Sequence, residues 1–226
     1  AYAQLPAIKY AKDQGHYVIT ADYLPNNPGH KYSNEYHNIS TTEIEDIYIL
    51  SKKLKIDAIS AYASDPAAHT AAYVSEKLNL IGSSYQSVQI LSNKMLFRNF
   101  LQKNNFKTPW FYCSKELTQL EKNYNGEEAI VKPVASSDSK GIFLINNRHD
   151  LRDYFEETKK KSRNGTVIIE QRIERKGPQI HGEGFVVNGE LKFILLGDQV
   201  FSPVNTLTPY STLVPSIFHS DIMEYL

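Results

Sequence analysis

One stretch of the sequence, residues 129–141, limits what this chain can fold into more than any other. It begins with the apolar run Ala-Ile-Val, which predicts a short buried strand that carries Lys132 at its end. A small polar loop of serine, aspartate, lysine and glycine follows Pro133, and apolar strand character returns at residues 142–145. A lysine and a Ser/Gly loop between two strands suit a polyphosphate, because backbone N–H groups, hydroxyls and an ammonium group can surround anionic oxygens.

This stretch is not a P-loop. The pattern G-x-x-x-x-G-K-[ST] is absent, and the loop is followed by a strand instead of a helix. The alternative interpretation is an exposed hairpin loop with an ordinary surface lysine, since a short motif matches many unrelated sequences. The stretch alone leaves both interpretations open.

The first part of the chain alternates helical and strand patterns with short connections. This alternation predicts a parallel, doubly wound sheet. The predicted helices are residues 4–15, 43–54 (with Thr42 as the N-cap) and 66–78, and the predicted strands are residues 17–21, 37–40 and 57–61. Doubly wound domains usually begin with a strand, whereas a helix begins here almost at residue 1, so we expect a first strand to be missing from this chain.

The remainder of the chain predicts a different arrangement. The predicted helices are residues 91–101, 114–122 and 150–161 (with Asn147 as the N-cap), and the predicted strands are residues 110–113, 129–131, 142–145 and 166–170. Residues 179–187 and 190–196 flank Asn188-Gly189, a strong signal for an antiparallel hairpin. A last helix is predicted from Ser220 to residue 226, and we expect a further C-terminal portion because the chain stops within it.

Composition excludes several classes of partner. Lysine plus arginine equals aspartate plus glutamate, so neither a nucleic-acid surface nor a polybasic membrane patch is predicted. No apolar run is long enough for a membrane span. Cys113 is the only cysteine, which favours a reducing cytoplasm, and its apolar neighbours predict a small buried side chain. The seven histidines show no metal-ligand spacing, so no metal ligand is assigned.

Three stretches, taken in order, resemble the ATP-grasp superfamily, in particular its carbamoyl-phosphate-synthetase-like and biotin-carboxylase-like branches. They are Ser92-Asn93-Lys94, then Ile130 to Pro133 with the loop Ser136 to Gly141, and then residues 167–173 followed by residues 177–180. The resemblance implies an α/β fold followed by an α+β fold. Residues 1–90 would form a parallel, doubly wound pre-ATP-grasp domain and residues 91–226 an incomplete ATP-grasp domain. Within the latter, a lid subdomain would span residues 108–172, and the start of an antiparallel C-terminal subdomain would span residues 173–226.

The resemblance also implies roles for individual residues. Lys94 and Lys132 would neutralise ATP phosphates, and the loop that contains Ser136, Ser137, Ser139 and Gly141 would close over them. The main chain of Glu170, Gln171 and Ile173 would contact the adenine edge, and Gln179 would lie near the ribose, with Glu183 a weaker candidate. ATP and Mg²⁺ are the implied cofactors. The catalytic and Mg²⁺-binding residues are expected in a later segment.

The function that this resemblance implies is an ATP-dependent ligase. Such an enzyme activates a small carboxylate as an acyl phosphate and passes it to an amine or another nucleophile, and relatives often form homodimers. The alternative is a non-catalytic, nucleotide-binding or regulatory module. A dinucleotide-dependent oxidoreductase is poorly supported, because no G-x-G-x-x-G follows a strand.

Each candidate residue also has an ordinary structural interpretation. Lys94 is otherwise a solvated helix lysine, and Glu170 a charged strand end. Gln179 and Glu183 would then belong to the exposed face of an alternating strand. Asp22, which follows a predicted strand, either binds a small ligand or forms a turn.

Overall fold

The computed structural model describes residues 2–136, 140–175, 177–204, 207, 209–218, 220 and 222. Its contacts divide the chain into two compact units, Ala1–Lys107 and Thr108–Leu226. The fold is mixed α/β, with one parallel and two antiparallel sheets among the described residues. The broad prediction of a parallel region followed by an antiparallel region is confirmed.

The first unit is mostly helical. Its helices are α1 (Leu5–Asp13), α2 (Ile44–Leu54), α3 (Asp65–Leu78), α4 (Tyr85–Ser92) and α5 (Lys94–Lys103), with short 3₁₀ helices at Tyr2–Gln4 and Pro28–Lys31. Its strands, β1 (Ile19–Ala21) and β2 (Glu35–His37), pair in parallel, with Thr20 opposite Tyr36. Buried side chains on α2 and α3 hold these helices together, among them Ile47 and Val74.

Three local predictions for this unit are wrong. The stretch 57–61 forms no strand, because it pairs with neither β1 nor β2, and an extended stretch becomes a strand only through such pairing. Thr42 does not cap α2: the N-cap position is Glu43, and the Thr42 hydroxyl lies 2.9 Å from Ser40 Oγ. The helix predicted at 91–101 is two helices, because the extended backbone of Asn93 (φ −121°, ψ 112°) separates α4 from α5.

The second unit contains a four-stranded antiparallel sheet. Its strands are β3 (Phe111–Ser114), β4 (Ala129–Pro133), β5 (Phe143–Ile145) and β6 (Val167–Gln171), in the spatial order β3-β6-β4-β5. Its helices are α6 (Leu117–Asn123) and α7 (Arg148–Lys161). Asn147 caps α7 as predicted, since its Oδ1 accepts hydrogen bonds from the N–H groups of His149 and Asp150 at 2.8 and 3.0 Å.

The core of this unit lies between one face of the sheet and the two helices. Alternate strand residues face the helices because successive side chains on a strand point to opposite sides. The cluster consists of Leu120, Tyr124, Ala129, Val131, Ile145, Leu151, Phe155, Val167 and Ile169. This arrangement leaves the other face of the sheet for the remaining residues of β3, β4 and β6.

A second antiparallel sheet follows, with the strands β7 (Gln179–Val187), β8 (Glu190–Phe201) and β9 (Pro209–Leu213). The predicted hairpin is confirmed, and the positive φ angles of Asn188 (53°) and Gly189 (80°) fit the tight turn. Strand β9 was not predicted, because its surroundings are rich in proline, threonine and serine. The helix predicted from Ser220 lies almost entirely outside the described residues.

In the part of the chain that the structure describes, no helix has both the length and the apolar character needed to cross a membrane.

The core cluster gives a first prediction. Phe155 of α7 is 2% exposed, and replacing it with alanine leaves a cavity, so Phe155→Ala is expected to lower the free energy of unfolding by about 3–5 kcal/mol. The neighbouring exposed variant Glu156→Ala is the control, with an expected change within about 0.5 kcal/mol. Urea denaturation monitored by circular dichroism measures both. Equal stability of the two variants would contradict this description of the core.

Candidate functional site

The face of the second unit's first sheet that points away from the helical core carries polar groups. Val131 and Ile169 face the core, so their neighbours Lys132 and Glu170 lie on the opposite face. Cys113 of β3 and Lys132 of β4 both pair with Ile168 of β6. Directly paired residues lie on the same face of a sheet, so Cys113 shares the face of Lys132. The sheet therefore brings an ammonium group, a carboxylate and a thiol onto one surface.

Lys132 and Glu170 form an ion pair between neighbouring strands. Ile130 pairs with Glu170 and Lys132 with Ile168, so the two charged residues are diagonal neighbours on one face. Lys132 Nζ donates to Glu170 Oε1, and the two side chains are only 16% and 8% exposed. Taking both charges out of water is costly, and each charge offsets part of this cost for the other. Loss of either partner would leave the remaining charge in a poorly hydrated position.

Cys113 is half-buried, so it is more exposed than the buried position predicted from its apolar neighbours. Burial, together with the negative charge of Glu170, raises the pKa of its thiol to about 12. A thiol with such a pKa is almost entirely protonated at neutral pH. It is therefore a poor nucleophile, in agreement with the sequence interpretation.

The two ends of the serine-containing loop are hydrogen-bonded to Thr158 of α7 and to Arg163, two residues after this helix. Thr158 Oγ1 donates to the carbonyl of Gly141 at 3.2 Å, and Arg163 N donates to the carbonyl of Ala135 at 3.0 Å. Gly141 has a φ of +69°, and a Cβ there would lie 3.0 Å from Lys161 Cγ, so this position favours glycine.

Of the predicted loop residues, Ser136 is partly exposed, whereas Ser137 and Ser139 lie outside the described residues.

The chain leaves the sheet after Gln171, the residue that follows Glu170. Gln171 ends β6, and its N–H donates to the carbonyl of Trp110 at 2.9 Å. Ile173 is 65% exposed. Further along, the guanidinium of Arg175 stacks on the ring of Phe201 at 4.1 Å from its centroid. Residues 170–173 thus run from a buried, charged strand end into exposed chain.

The two predicted residues on β7 lie on exposed strand. Gln179 is the first residue of β7, and its Nε2 donates to Gln199 Oε1 of β8 at 3.0 Å. The side chain of Glu183 is 79% exposed and lies 3.7 Å from His181 Nε2. Gln179 therefore has a cross-strand partner, whereas the exposed position of Glu183 fits its ordinary interpretation.

Lys94 is the first residue of α5 in the first unit. Asn93 Oδ1 caps this helix by accepting hydrogen bonds from the N–H groups of Met95 and Leu96, both at 3.1 Å. The cap determines where α5 begins. The sequence did not signal this cap, because residues 91–101 fit one continuous amphipathic helix.

Asp22, also in the first unit, forms a turn. One carboxylate oxygen accepts from Leu24 N and the other from Asn27 Nδ2, both at 2.8 Å. These bonds hold the loop after β1, so the turn-forming interpretation of Asp22 is the one that the geometry supports.

Among the described residues, no three or more histidine, cysteine, aspartate or glutamate side chains converge as a metal site would require. We therefore assign no Mg²⁺ ligand within this part of the chain.

Comparison with known proteins identifies the domain. Residues 91–199 match the model of the ATP-grasp domain. They include Lys94, Lys132 and Glu170. This match confirms the resemblance to the ATP-grasp superfamily that the three sequence motifs indicated.

Several synthetases and ligases are similar to this chain in sequence or in fold. Phosphoribosylamine–glycine ligase of Methanocaldococcus jannaschii is 27% identical over 210 residues, a match that covers 84% of this chain and 46% of that protein. L-amino acid ligase of Bacillus licheniformis has a similar structure, with a TM-score of 0.76 at 21% identity over 98% of this chain and 55% of that chain.

N5-carboxyaminoimidazole synthetase of Staphylococcus aureus, in a complex with ADP, has a TM-score of 0.75 at 20% identity, covering 98% of this chain and 58% of that chain. The chain thus spans about half the length of these relatives.

The environment of Cys113 gives a prediction on pH. Because only the thiolate reacts with iodoacetamide, the folded chain should be alkylated at pH 8 at least about a hundredfold more slowly than the urea-unfolded chain, whose thiol has an ordinary pKa of about 8.5. As the pH rises, the rate for the folded chain should keep increasing beyond pH ~10, since the folded pKa is about 12.

Two variants test whether the charge of Glu170 contributes to the raised thiol pKa. Glu170→Gln removes a negative charge that raises the thiol pKa, so it should speed alkylation of the folded chain. Glu183→Gln removes an exposed carboxylate on β7 and should leave the rate unchanged. A rate that levels off near pH 9 in the folded wild-type chain would contradict the raised pKa.

Proposed function

We propose that this chain is the nucleotide-binding part of an ATP-dependent ligase, and that it binds Mg-ATP on the sheet face that carries Lys132 and Glu170. The observation that carries the proposal is this buried ion pair, located within an ATP-grasp domain. A lysine on a sheet face with a nearby carboxylate can exchange its partner for a phosphate oxygen. Such a residue supplies a compact positive charge where a polyphosphate accumulates negative charge.

The strand end beside the pair provides groups for the base of the nucleotide. The chain leaves the sheet ladder after Gln171, and the next residues, Arg172 and Ile173, are exposed, so their main-chain groups lie outside the ladder. Adenine presents a donor and an acceptor next to each other, and a strand-like backbone offers the complementary pair. We assign the adenine contact to residues 170–173 on this basis.

The proposal also gives roles to the other predicted residues. Lys94 would add a second positive charge at the start of α5, where the N-terminal end of a helix also favours an anion. The loop from Ser136 to Gly141 would cover the phosphates, with its ends held by α7 and by the residues just after it. Ser137 and Ser139 belong to that proposed loop, and Gln179 would lie near the ribose. Mg²⁺ would accompany the nucleotide, with no ligand assigned to it here.

The domain organisation follows the same proposal. Residues 1–90 would form the pre-ATP-grasp domain and residues 91–226 an ATP-grasp domain, with the lid subdomain at residues 108–172 and the beginning of the C-terminal subdomain at residues 173–226. The sheet β3-β6-β4-β5 would then be the core of the lid subdomain. The sheet β7-β8-β9 would begin the C-terminal subdomain.

The reaction would be phosphoryl transfer followed by ligation. A substrate carboxylate would attack the γ-phosphorus of ATP and release ADP, and an amine or other nucleophile would then displace phosphate from the acyl phosphate. Positioning and charge neutralisation account for most of the catalysis in such transfers. The substrates would be a small carboxylate and an amine, in a cytoplasmic enzyme that forms a homodimer.

Calorimetric titration of Mg-ATP into the chain and its Lys132→Met variant tests the proposal. Loss of one charge-assisted contact to phosphate should weaken ATP binding by about tenfold or more. Lys192→Met is the matched control, because Lys192 also forms an ion pair with a glutamate in the second unit, Glu190, but on the exposed β7–β8 hairpin. The control should bind ATP with wild-type affinity.

A double variant separates an effect on ATP binding from an effect on stability. Lys132→Met removes the lysine that contacts the buried Glu170, which is expected to lower the free energy of unfolding by about 3 kcal/mol. Lys132→Met/Glu170→Gln removes the remaining charge and should recover much of that stability while still binding ATP weakly. Wild-type affinity in either folded variant would show that Lys132 does not bind the nucleotide.

A further inference from the structure

His69 contacts the residue that joins α4 to α5. It lies on α3, and its Nε2 is 2.7 Å from the hydroxyl of Ser92, the last residue of α4. Asn93, the next residue, caps α5, and Lys94 is the first residue of that helix. A side-chain hydrogen bond therefore connects α3 to the helix junction that carries Lys94.

The hydrogen-bond pattern determines which atom donates. Ser92 has one hydroxyl proton, and its Oγ also lies 2.6 Å from the carbonyl oxygen of Val88, which can only accept. The serine proton is thus committed to Val88, so His69 must donate from Nε2 to Ser92 Oγ. The contact consequently requires the proton on Nε2, and a side chain without a donor at that position cannot replace it.

Aromatic side chains pack against the ring of His69. The imidazole of His69 packs edge-on against Tyr85 of α4, with centroids 6.2 Å apart, and Tyr85 packs against Tyr73 of α3 at 5.6 Å. The hydroxyl of Tyr73 donates to Glu45 of α2 at 2.8 Å. These contacts restrict the His69 ring and connect it to the packed helices α2 and α3.

The loop between α3 and α4 passes close to the surface of α3. A Cβ on Gly82 would lie 2.7 Å from Ser75 Oγ, so only glycine lets this loop pass α3 at the observed distance. The carboxylate of Glu76 accepts a hydrogen bond from the N–H of Tyr85 at 3.1 Å, which holds the start of α4. Helix α4 is thus held to α3 at its beginning by Glu76 and at its end by His69.

We propose that His69 is a positioning residue for nucleotide binding: it holds Ser92 in place, and with it the first turn of α5, so that Lys94 is presented to a phosphate group in one orientation. This inference rests on the proposed function for the role of Lys94. The positioning of α5 by His69 can be measured without any nucleotide.

Hydrogen exchange tests the positioning directly. Asn93 accepts the N–H groups of Met95 and Leu96 with its side chain and that of Phe97 with its carbonyl. His69→Leu removes the hydrogen bond to Ser92, the residue before Asn93. This loss should raise the exchange rates of these amides by about three- to tenfold. His69→Gln keeps a donor near the position of Nε2 and should stay within about twofold of wild type.

Thr70→Val is the matched control. Thr70 is adjacent on α3 and also loses one hydrogen bond, because its hydroxyl donates to the carbonyl of Thr41 at 2.6 Å. This variant should be destabilised to a similar extent as His69→Leu without faster exchange at residues 95–97. Equal exchange at these residues in the two variants would overturn the inference, since His69 would then contribute only general stability.

Nucleotide titration tests the consequence for Lys94. Lys94→Ala should weaken Mg-ATP binding by about tenfold and His69→Leu by about three- to tenfold, while adenosine binding changes little in either. In the Lys94→Ala background, His69→Leu should cause no further loss, because the histidine acts through that lysine.

The outcomes separate this inference from the proposed function. If Lys94→Ala weakens ATP binding and His69→Leu does not, the inference is wrong and the proposed function stands. If His69→Leu weakens binding equally with and without Lys94, the histidine acts by another route and the inference is again wrong. If Lys94→Ala binds ATP as the wild type does, the error lies in the role that the proposed function gives Lys94.

Discussion

The ion pair between Lys132 and Glu170 is the interaction on which the account of this chain depends. Two charges are held at low exposure on a sheet face because β4 and β6 are neighbours in antiparallel register. Water would solvate these charges better than the protein does, so their retention costs stability that well-packed apolar residues would not. The pair is explained if a ligand requires one of its two charges. In the proposed function that ligand is a phosphate, which replaces Glu170 as the partner of Lys132.

Much of this arrangement follows from the sequence. The apolar runs at residues 129–131 and 167–169 predict strands. The observed sheet and core then show that Val131 and Ile169 face inward and that Lys132 and Glu170 lie on the outer face. Asn147 and Asn188-Gly189 predicted a helix start and a hairpin turn correctly, because both act through local backbone geometry. The motifs around Lys94, Lys132 and Glu170 indicated the ATP-grasp domain for the same reason: they are short and contiguous.

What the sequence did not reveal depends on contacts between distant residues. Strand pairing decides whether an extended stretch becomes a strand, so residues 57–61 remain outside a ladder whereas residues 209–213 join one. The break at Asn93 preserves the helical spacing of apolar residues on both sides, and periodicity alone cannot detect it. Two interactions join residues far apart in sequence: the effect of the Glu170 charge on the Cys113 thiol, and the hydrogen bond between His69 and Ser92. No local sequence pattern predicts either of them.

The most direct measurement is the pattern of backbone amide chemical-shift changes when Mg-ATP is titrated into the ¹⁵N-labelled chain. If the sheet face of Lys132 and Glu170 binds the nucleotide, the largest changes in the second unit should occur at residues 130–132 and 170–173. The turn of the β7–β8 hairpin at Asn188-Gly189 should remain unchanged. Saturable changes confined to the hairpin, or shifts at residues 130–132 and 170–173 that persist in full in Lys132→Met, would contradict the account.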